Sequence, residues 1–176
     1  MNLFDILIHQ MNLVSFSGSF IWLGFFLVFL TCFLFYKQEK YLEISFIIIS
    51  LCSYFYSVTI KGLFKLPRPE GATWSPIMLD NYTFPSTHVV TYTVIFGFLF
   101  YLMSQKFFKD RLLTNSLKVT YGYLIVLVGF SRVILGQHYL RDVFFGYVFG
   151  AVYLGLLIFL YNRFREAMAK NKKNNR

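Results

Sequence analysis

Charge is scarce in this chain. Only 14% of its 176 residues are Asp, Glu, Lys or Arg, against 57% hydrophobic and 22% aromatic. That balance excludes an ordinary soluble globular domain. Cysteine is rarer still: Cys32 and Cys52 are the two present, both inside apolar stretches, so they read as packing residues and say little about redox compartment. The first sixteen residues, MNLFDILIHQMNLVSF, lack the basic n-region and small-residue cleavage site of a secretory signal, and are expected to be retained. Internal repeats, low-complexity tracts and long linkers are missing too, which implies one domain followed by a polar tail, AKNKKNNR, expected to be disordered. The net charge of +9 is spread along the chain rather than gathered into a nucleic-acid-binding patch, so no nucleic-acid partner is expected.

Long apolar runs are what the chain does have. Five stretches, near 17–36, 41–60, 88–104, 118–132 and 139–161, approach or exceed the roughly 20 residues that cross a bilayer. The fold class this implies is all-α: a polytopic membrane bundle of about five transmembrane helices. Asn2, Asp5, His9 and Asn12 recur at helical spacing, and predict an interfacial amphipathic helix over 1–16. The organisation is then 1–16 interfacial helix, 17–161 transmembrane domain and 162–176 basic tail.

Basic residues orient the bundle. The 37–40 turn, the 104–118 loop and the tail share one side and carry 12 of the 17 Lys and Arg residues. The positive-inside rule puts that side, and the C-terminus, in the cytoplasm. The other five, Lys61, Lys65, Arg68, Arg132 and Arg141, face outward. Charge near a bilayer needs a reason, because at mid-membrane it costs roughly 2.5–3.5 kcal/mol even on permissive scales. These outer cations fall in KGLFKLPRP at 61–69 and SRVILGQHYLRD at 131–142, and a third outer cluster, PSTH, occupies 85–88.

Singly, each cluster has an ordinary reading. Lys61 and Lys65 suit snorkelling side chains at a span end. Pro85 and Ser86 suit a helix start, with Ser86 as the cap. His138 and Asp142, four apart, suit an ion pair on one helical face. Together they are three cations, two imidazoles and a carboxylate on one membrane face, and that inventory fits phosphate chemistry. Lys61, Arg68 and Arg132 can neutralise phosphoryl oxygens, with Ser86 and the helix N-terminus beside it adding donors. His138 has the nucleophile's context, since Asp142 can accept from one ring nitrogen and leave the other to attack phosphorus. His88 remains as general acid. The scheme requires no metal and no other cofactor, and the chain lacks the carboxylate cluster of a two-metal site.

These three motifs resemble the signature of the type 2 phosphatidic acid phosphatases, a family that shares its core with vanadium-dependent haloperoxidases. The family pattern is K-x-x-x-x-x-x-R-P, P-S-G-H and S-R-x-x-x-x-x-H-x-x-x-D. It is matched here with its spacing intact and one departure, Thr87 where the family has Gly. The resemblance implies a helical bundle with its site at the membrane surface. It also implies a phosphohistidine on His138, oriented by Asp142, with His88 protonating the leaving group. Lys61, Arg68, Ser86, Thr87 and Arg132 are implied as phosphate-binding positions. The loop PEGATWSPIMLDNYTF at 69–84 suits an interfacial flap.

A phosphate site at the outer boundary, flanked by apolar helices, points to an amphiphile whose tail stays in the bilayer. The expected activity is hydrolysis of a lipid phosphate, with undecaprenyl diphosphate and phospholipid phosphates as the leading substrates. The alternatives are a lipid phosphotransferase that passes the group to a hydroxyl, and a non-catalytic lipid-phosphate-binding protein.

Overall fold

The computed structural model describes residues 19–70, 82–105 and 107–174. Regular structure among them is helical throughout: α1 Ser19–Tyr36, α2 Tyr41–Ser50, α3 Ser53–Phe64, α4 Thr87–Ser104, α5 Arg111–Ile134 and α6 Leu140–Asn174. Tyr41–Phe64, Thr87–Ser104, Arg111–Ile134 and Leu140–Asn171 are long and apolar enough to cross a bilayer, and Gly24–Tyr36 is a shorter apolar helix beside them. The chain is a multi-pass membrane helical bundle. The helix expected over 1–16 lies outside the described residues.

Three boundaries differ from expectation. The second span is two helices, interrupted at Leu51 and Cys52, whose N–H groups reach back three residues to Ile48 and Ile49 (3.0 Å each). Such tightened turns redirect a helix without a Pro or Gly to announce it. The fourth span begins earlier than its apolar run, because the Asp110 side chain accepts from the Leu113 N–H at 3.0 Å and caps the helix there. The last span does not give way to a disordered tail: α6 continues to Asn174. Its terminal turns are rich in Ala, Lys and Arg, which favour helix and suit the negative end of its dipole.

α4 is the central helix, packed against α2, α3, α5 and α6. Val90, Val94, Phe98, Leu99 and Leu102 along it are wholly buried. The peripheral helices turn large apolar side chains outward instead, among them Phe29, Phe55, Val119 and Leu156. An exposed apolar surface of this kind suits lipid as the surrounding solvent.

The α4–α6 contact is close because α6 carries Gly146 and Gly150, a G-x-x-x-G pair. A Cβ on Gly150 would lie 2.8 Å from Thr93 Cβ and 3.2 Å from the Val90 carbonyl oxygen; one on Gly146 would lie 3.3 Å from the Ser86 carbonyl oxygen. At the end of the bundle away from the motifs, Tyr161 OH donates to Glu43 Oε1 at 3.0 Å, and Tyr101 OH to Asn162 Oδ1 at 2.7 Å. These interhelical bonds satisfy polar groups that lipid could not.

Candidate active site

The first motif ends a helix and turns the chain inward. Lys65 takes a left-handed conformation (φ 49°) with its N–H on the Lys61 carbonyl at 2.9 Å, and Pro67 and Pro69 prevent helix from resuming. Arg68 therefore sits half-buried on extended chain. Lys61, one turn back, is 1% exposed, which rules out a snorkelling role. Its Nζ donates to the Tyr82 carbonyl at 2.8 Å. The extended stretch also binds the chain that leads into the second motif, through Thr83 N–H to the Leu66 carbonyl at 2.9 Å. Phe84 is held edge-on between the rings of Phe64 and Phe145.

The second motif starts α4. Ser86 occupies the N-cap position, yet its hydroxyl makes no capping bond: it is buried and, like His88 Nδ1, has no hydrogen-bond partner. The expected cap is thus absent, and the hydroxyl is available to a ligand. Ser86 N–H donates to the Asp142 carbonyl at 3.0 Å, which ties this helix start to that of α6. Thr87 is helical, and Glu39 and Lys65 are the non-glycine residues with positive φ among those described. No backbone conformation here demands the family's glycine. The Thr87 hydroxyl accepts from Ser57 Oγ at 3.2 Å, which engages it with α3.

The third motif's spacing is set by a helix end followed by a helix start. Gly136, at φ 63°, is the left-handed residue that closes α5. Its N–H binds the Val133 carbonyl (3.0 Å) and the Gln137 N–H binds that of Arg132 (3.0 Å), the paired bonds of a Schellman turn. The His138 N–H reaches the same Arg132 carbonyl at 3.2 Å, so the turn brings His138 back beside buried Arg132. In the first turn of α6, Asp142 Oδ2 accepts from the Tyr139 N–H at 2.9 Å, half of a capping box.

His138 precedes α6 rather than sharing a helical face with Asp142, which corrects the expectation. The direct approach, His138 Nδ1 to Asp142 Oδ2, is 3.7 Å, too long for a hydrogen bond. Thr83 fills the gap. Its Oγ1 donates to Asp142 Oδ2 at 2.6 Å and lies 3.0 Å from His138 Nδ1, and all three side chains are buried. Thr83 cannot be found from the sequence, because a lone threonine in a loop carries no spacing signal.

The structure brings Lys61, Arg68, Ser86, His88, Arg132, His138 and Asp142 to one end of the bundle. His88 stands in the electrostatic field of Arg132, His138, Lys61 and Arg68. Burial pushes the His138 imidazole down to about 4; the Asp142 carboxylate opposes this, and the charges of Lys61, Arg68 and Arg132 add to it. His138 is therefore neutral at physiological pH, with a lone pair to offer. Arg141 remains peripheral: its side chain is 55% exposed, lies over the Tyr139 ring and stands 3.6 Å from Asp142 Oδ1. Among the described residues no group of three or more His, Cys, Asp or Glu side chains is placed to hold a metal ion. The loop expected to form a flap lies, over 71–81, outside the described residues.

An apolar cavity of about 460 Å³ opens beside His88. Phe25 and Val28 of α1, Leu51 at the helix break, Tyr54 of α3 and Phe96 of α4 line it.

Comparison with known proteins agrees with this architecture. A family model described as the PAP2 superfamily matches residues 40–166. Phosphatidylglycerophosphatase B of Bacillus subtilis (strain 168) is 30% identical over 115 residues, which cover 63% of this chain and 52% of that protein. The chain thus spans about half the length of this curated relative. A crystal structure described as the first transmembrane PAP2 type phosphatidylglycerolphosphate phosphatase, from Bacillus subtilis, is similar in fold, with a TM-score of 0.67 at 23% identity. The likeness covers 90% of this chain and 76% of that one.

Proposed function

The chain belongs to the PAP2 superfamily, and on that premise we propose that it is an integral membrane lipid phosphatase working through a phosphohistidine on His138. The Nε2 lone pair of His138 attacks phosphorus, the bond from phosphorus to the leaving oxygen breaks, and His88 gives that oxygen its proton. Water then attacks the phosphohistidine, His88 takes its proton, and the P–N bond breaks to release phosphate. Lys61, Arg68 and Arg132, with the Ser86 hydroxyl and the first N–H groups of α4, neutralise and hold the phosphoryl oxygens. No metal takes part.

One observation carries this reading: a buried, neutral His138 whose Nδ1 is engaged through Thr83 and Asp142, standing among three cations. The cavity beside His88 favours a lipid over a soluble ester, because its apolar walls suit an acyl or prenyl tail. The name of the Bacillus subtilis relative favours a phospholipid phosphate such as phosphatidylglycerol phosphate. Undecaprenyl diphosphate offers the same reacting group, with a lipid monophosphate as leaving group. The basic C-terminal turns of α6 favour a cytoplasmic C-terminus and an outward-facing site.

The test is phosphate release by the detergent-purified protein, in excess EDTA, from phosphatidic acid, phosphatidylglycerol phosphate and undecaprenyl diphosphate, beside His138→Ala. Chelator-resistant release that the substitution lowers at least about 10³-fold is expected, since removing a nucleophile leaves only binding and electrostatic contributions. Equal release by both proteins refutes the nucleophile, and no release from any lipid refutes the phosphatase.

A further inference from the structure

We propose that the Thr83 hydroxyl is a positioning group for the reaction, relaying between Asp142 and His138 and so selecting which ring nitrogen of His138 carries the proton. The inference rests on the His138 chemistry proposed above. It follows from counting protons. Two oxygens 2.6 Å apart, Thr83 Oγ1 and Asp142 Oδ2, share a proton between them. An ionised carboxylate has none to give, so Thr83 is the donor. A hydroxyl has a single proton, and towards His138 Nδ1, at 3.0 Å, Thr83 can then only accept. Nδ1 must be the protonated nitrogen, and Nε2 keeps the lone pair. Without the hydroxyl, the 3.7 Å between Nδ1 and Asp142 Oδ2 leaves the carboxylate no direct bond with which to impose that choice.

The relay is held from several directions. The Thr83 N–H is on the Leu66 carbonyl, Lys61 grips the Tyr82 carbonyl next door, and Phe84 is wedged between aromatic rings on the other side. Asp142 is equally fixed, with the Tyr139 N–H on the same oxygen that Thr83 uses. All three motifs thus converge on this hydroxyl: the first anchors its backbone, the second follows it in the chain, and the third supplies both of its partners.

Thr83→Val keeps the side chain's shape and removes the hydroxyl, while Thr83→Ser keeps the hydroxyl and loses only a methyl. Phosphate release is measured for both, alone and in an Asp142→Asn background, with melting temperature as a check on folding. Thr83→Val is expected to lower kcat about 10- to 100-fold, the range for losing a hydrogen bond to a charged partner, with little change in KM. Thr83→Ser should recover most of that loss. In the Asp142→Asn background the valine should add little, because both substitutions break the same relay. Ring nitrogen signals of ¹⁵N-histidine-labelled protein, assigned by subtraction of His138→Ala, report the tautomer directly. Wild type should show a protonated Nδ1 on His138 that Thr83→Val loses and Thr83→Ser retains. Unchanged kcat in Thr83→Val, serine as damaging as valine, or identical His138 signals in wild type and Thr83→Val would each overturn the proposal. If wild type releases no phosphate from any lipid, the phosphatase reading fails instead, and the histidine signals still decide the role of Thr83.

Discussion

A single methyl group at Gly150 should damage the site from two helical turns away. Gly150→Ala places a Cβ 2.8 Å from Thr93 Cβ and 3.2 Å from the Val90 carbonyl. Neither is the far end of a flexible side chain, so α4 and α6 themselves have to separate. Carbon atoms attract at roughly 3.5–4.0 Å, which sets the movement at about 0.7 Å or more. Ser86 and His88 ride at the start of α4, and Asp142 lies at the start of α6, with Ser86 N–H bonded to the Asp142 carbonyl at 3.0 Å. A shift of that size strains this bond and misplaces His88, the proposed general acid, relative to His138. Overpacking costs about 1–3 kcal/mol of stability, and a misplacement of around 1 Å costs up to about 100-fold in rate. Gly155→Ala on the same helix is the control, since nothing lies within 4 Å of its added Cβ. Thermal unfolding in detergent and kcat for lipid phosphate hydrolysis are measured for both. Gly150→Ala should lose stability and fall about 10- to 100-fold in kcat, with Gly155→Ala close to wild type. Equal behaviour of the two variants would refute the view that helix proximity sets the site.

Other perturbations follow from the same geometry. kcat/KM reports ionisation in the free protein, and the proposed nucleophile His138 has to be unprotonated to attack, so activity should fall on acidification with a midpoint near 4; a midpoint at the usual imidazole value of about 6.5 would show that its burial does not hold in solution. Gly136→Ala meets no atom within 4 Å yet must keep φ at 63°, so it should lose about 1 kcal/mol of stability and lower kcat by loosening the turn that carries His138; an unaffected rate would separate that turn from catalysis. With Cys32 and Cys52 replaced, a cysteine at exposed Lys65 should react with an impermeant thiol reagent on intact cells, and one at Lys170 only after lysis; the reverse pattern would invert the topology.

Much of this was legible in the sequence, for identifiable reasons. Membrane spans are read from apolar length, and the chain's five runs map onto its helices. The gathering of Lys61, Arg68, Ser86, His88, Arg132, His138 and Asp142 at one end of the bundle was legible because fixed spacing survives in one dimension. Thr83 was not, as its partners are 55 and 59 residues away and only folding brings them near. The break at Leu51–Cys52 was hidden because neither residue is a helix breaker. Two further features do carry a sequence signal. Gly136 before His138 marks a helix end, which already argues against one helical face for His138 and Asp142, and G-x-x-x-G at Gly146 and Gly150 marks a close crossing. Ser86 looked like a cap because serine so often is one, yet its hydroxyl is not spent there.

The Schellman turn at Gly136 makes the stretch between Arg132 and His138 as much a matter of length as of composition. Ile134 is exposed and Leu135 is bonded through its backbone, so these two side chains are open to exchange, whereas Val133 packs against the cluster of Val89, Val128 and Val143 and the Gln137 side chain donates to the Leu135 carbonyl at 3.5 Å. Adding or deleting a single residue there is a different kind of change, because it rotates His138 out of reach of the Arg132 carbonyl whatever residue is chosen. This segment should therefore accept exchange at Ile134 and Leu135, hold its glycine at 136, and admit no insertions or deletions, acting as a rigid ruler.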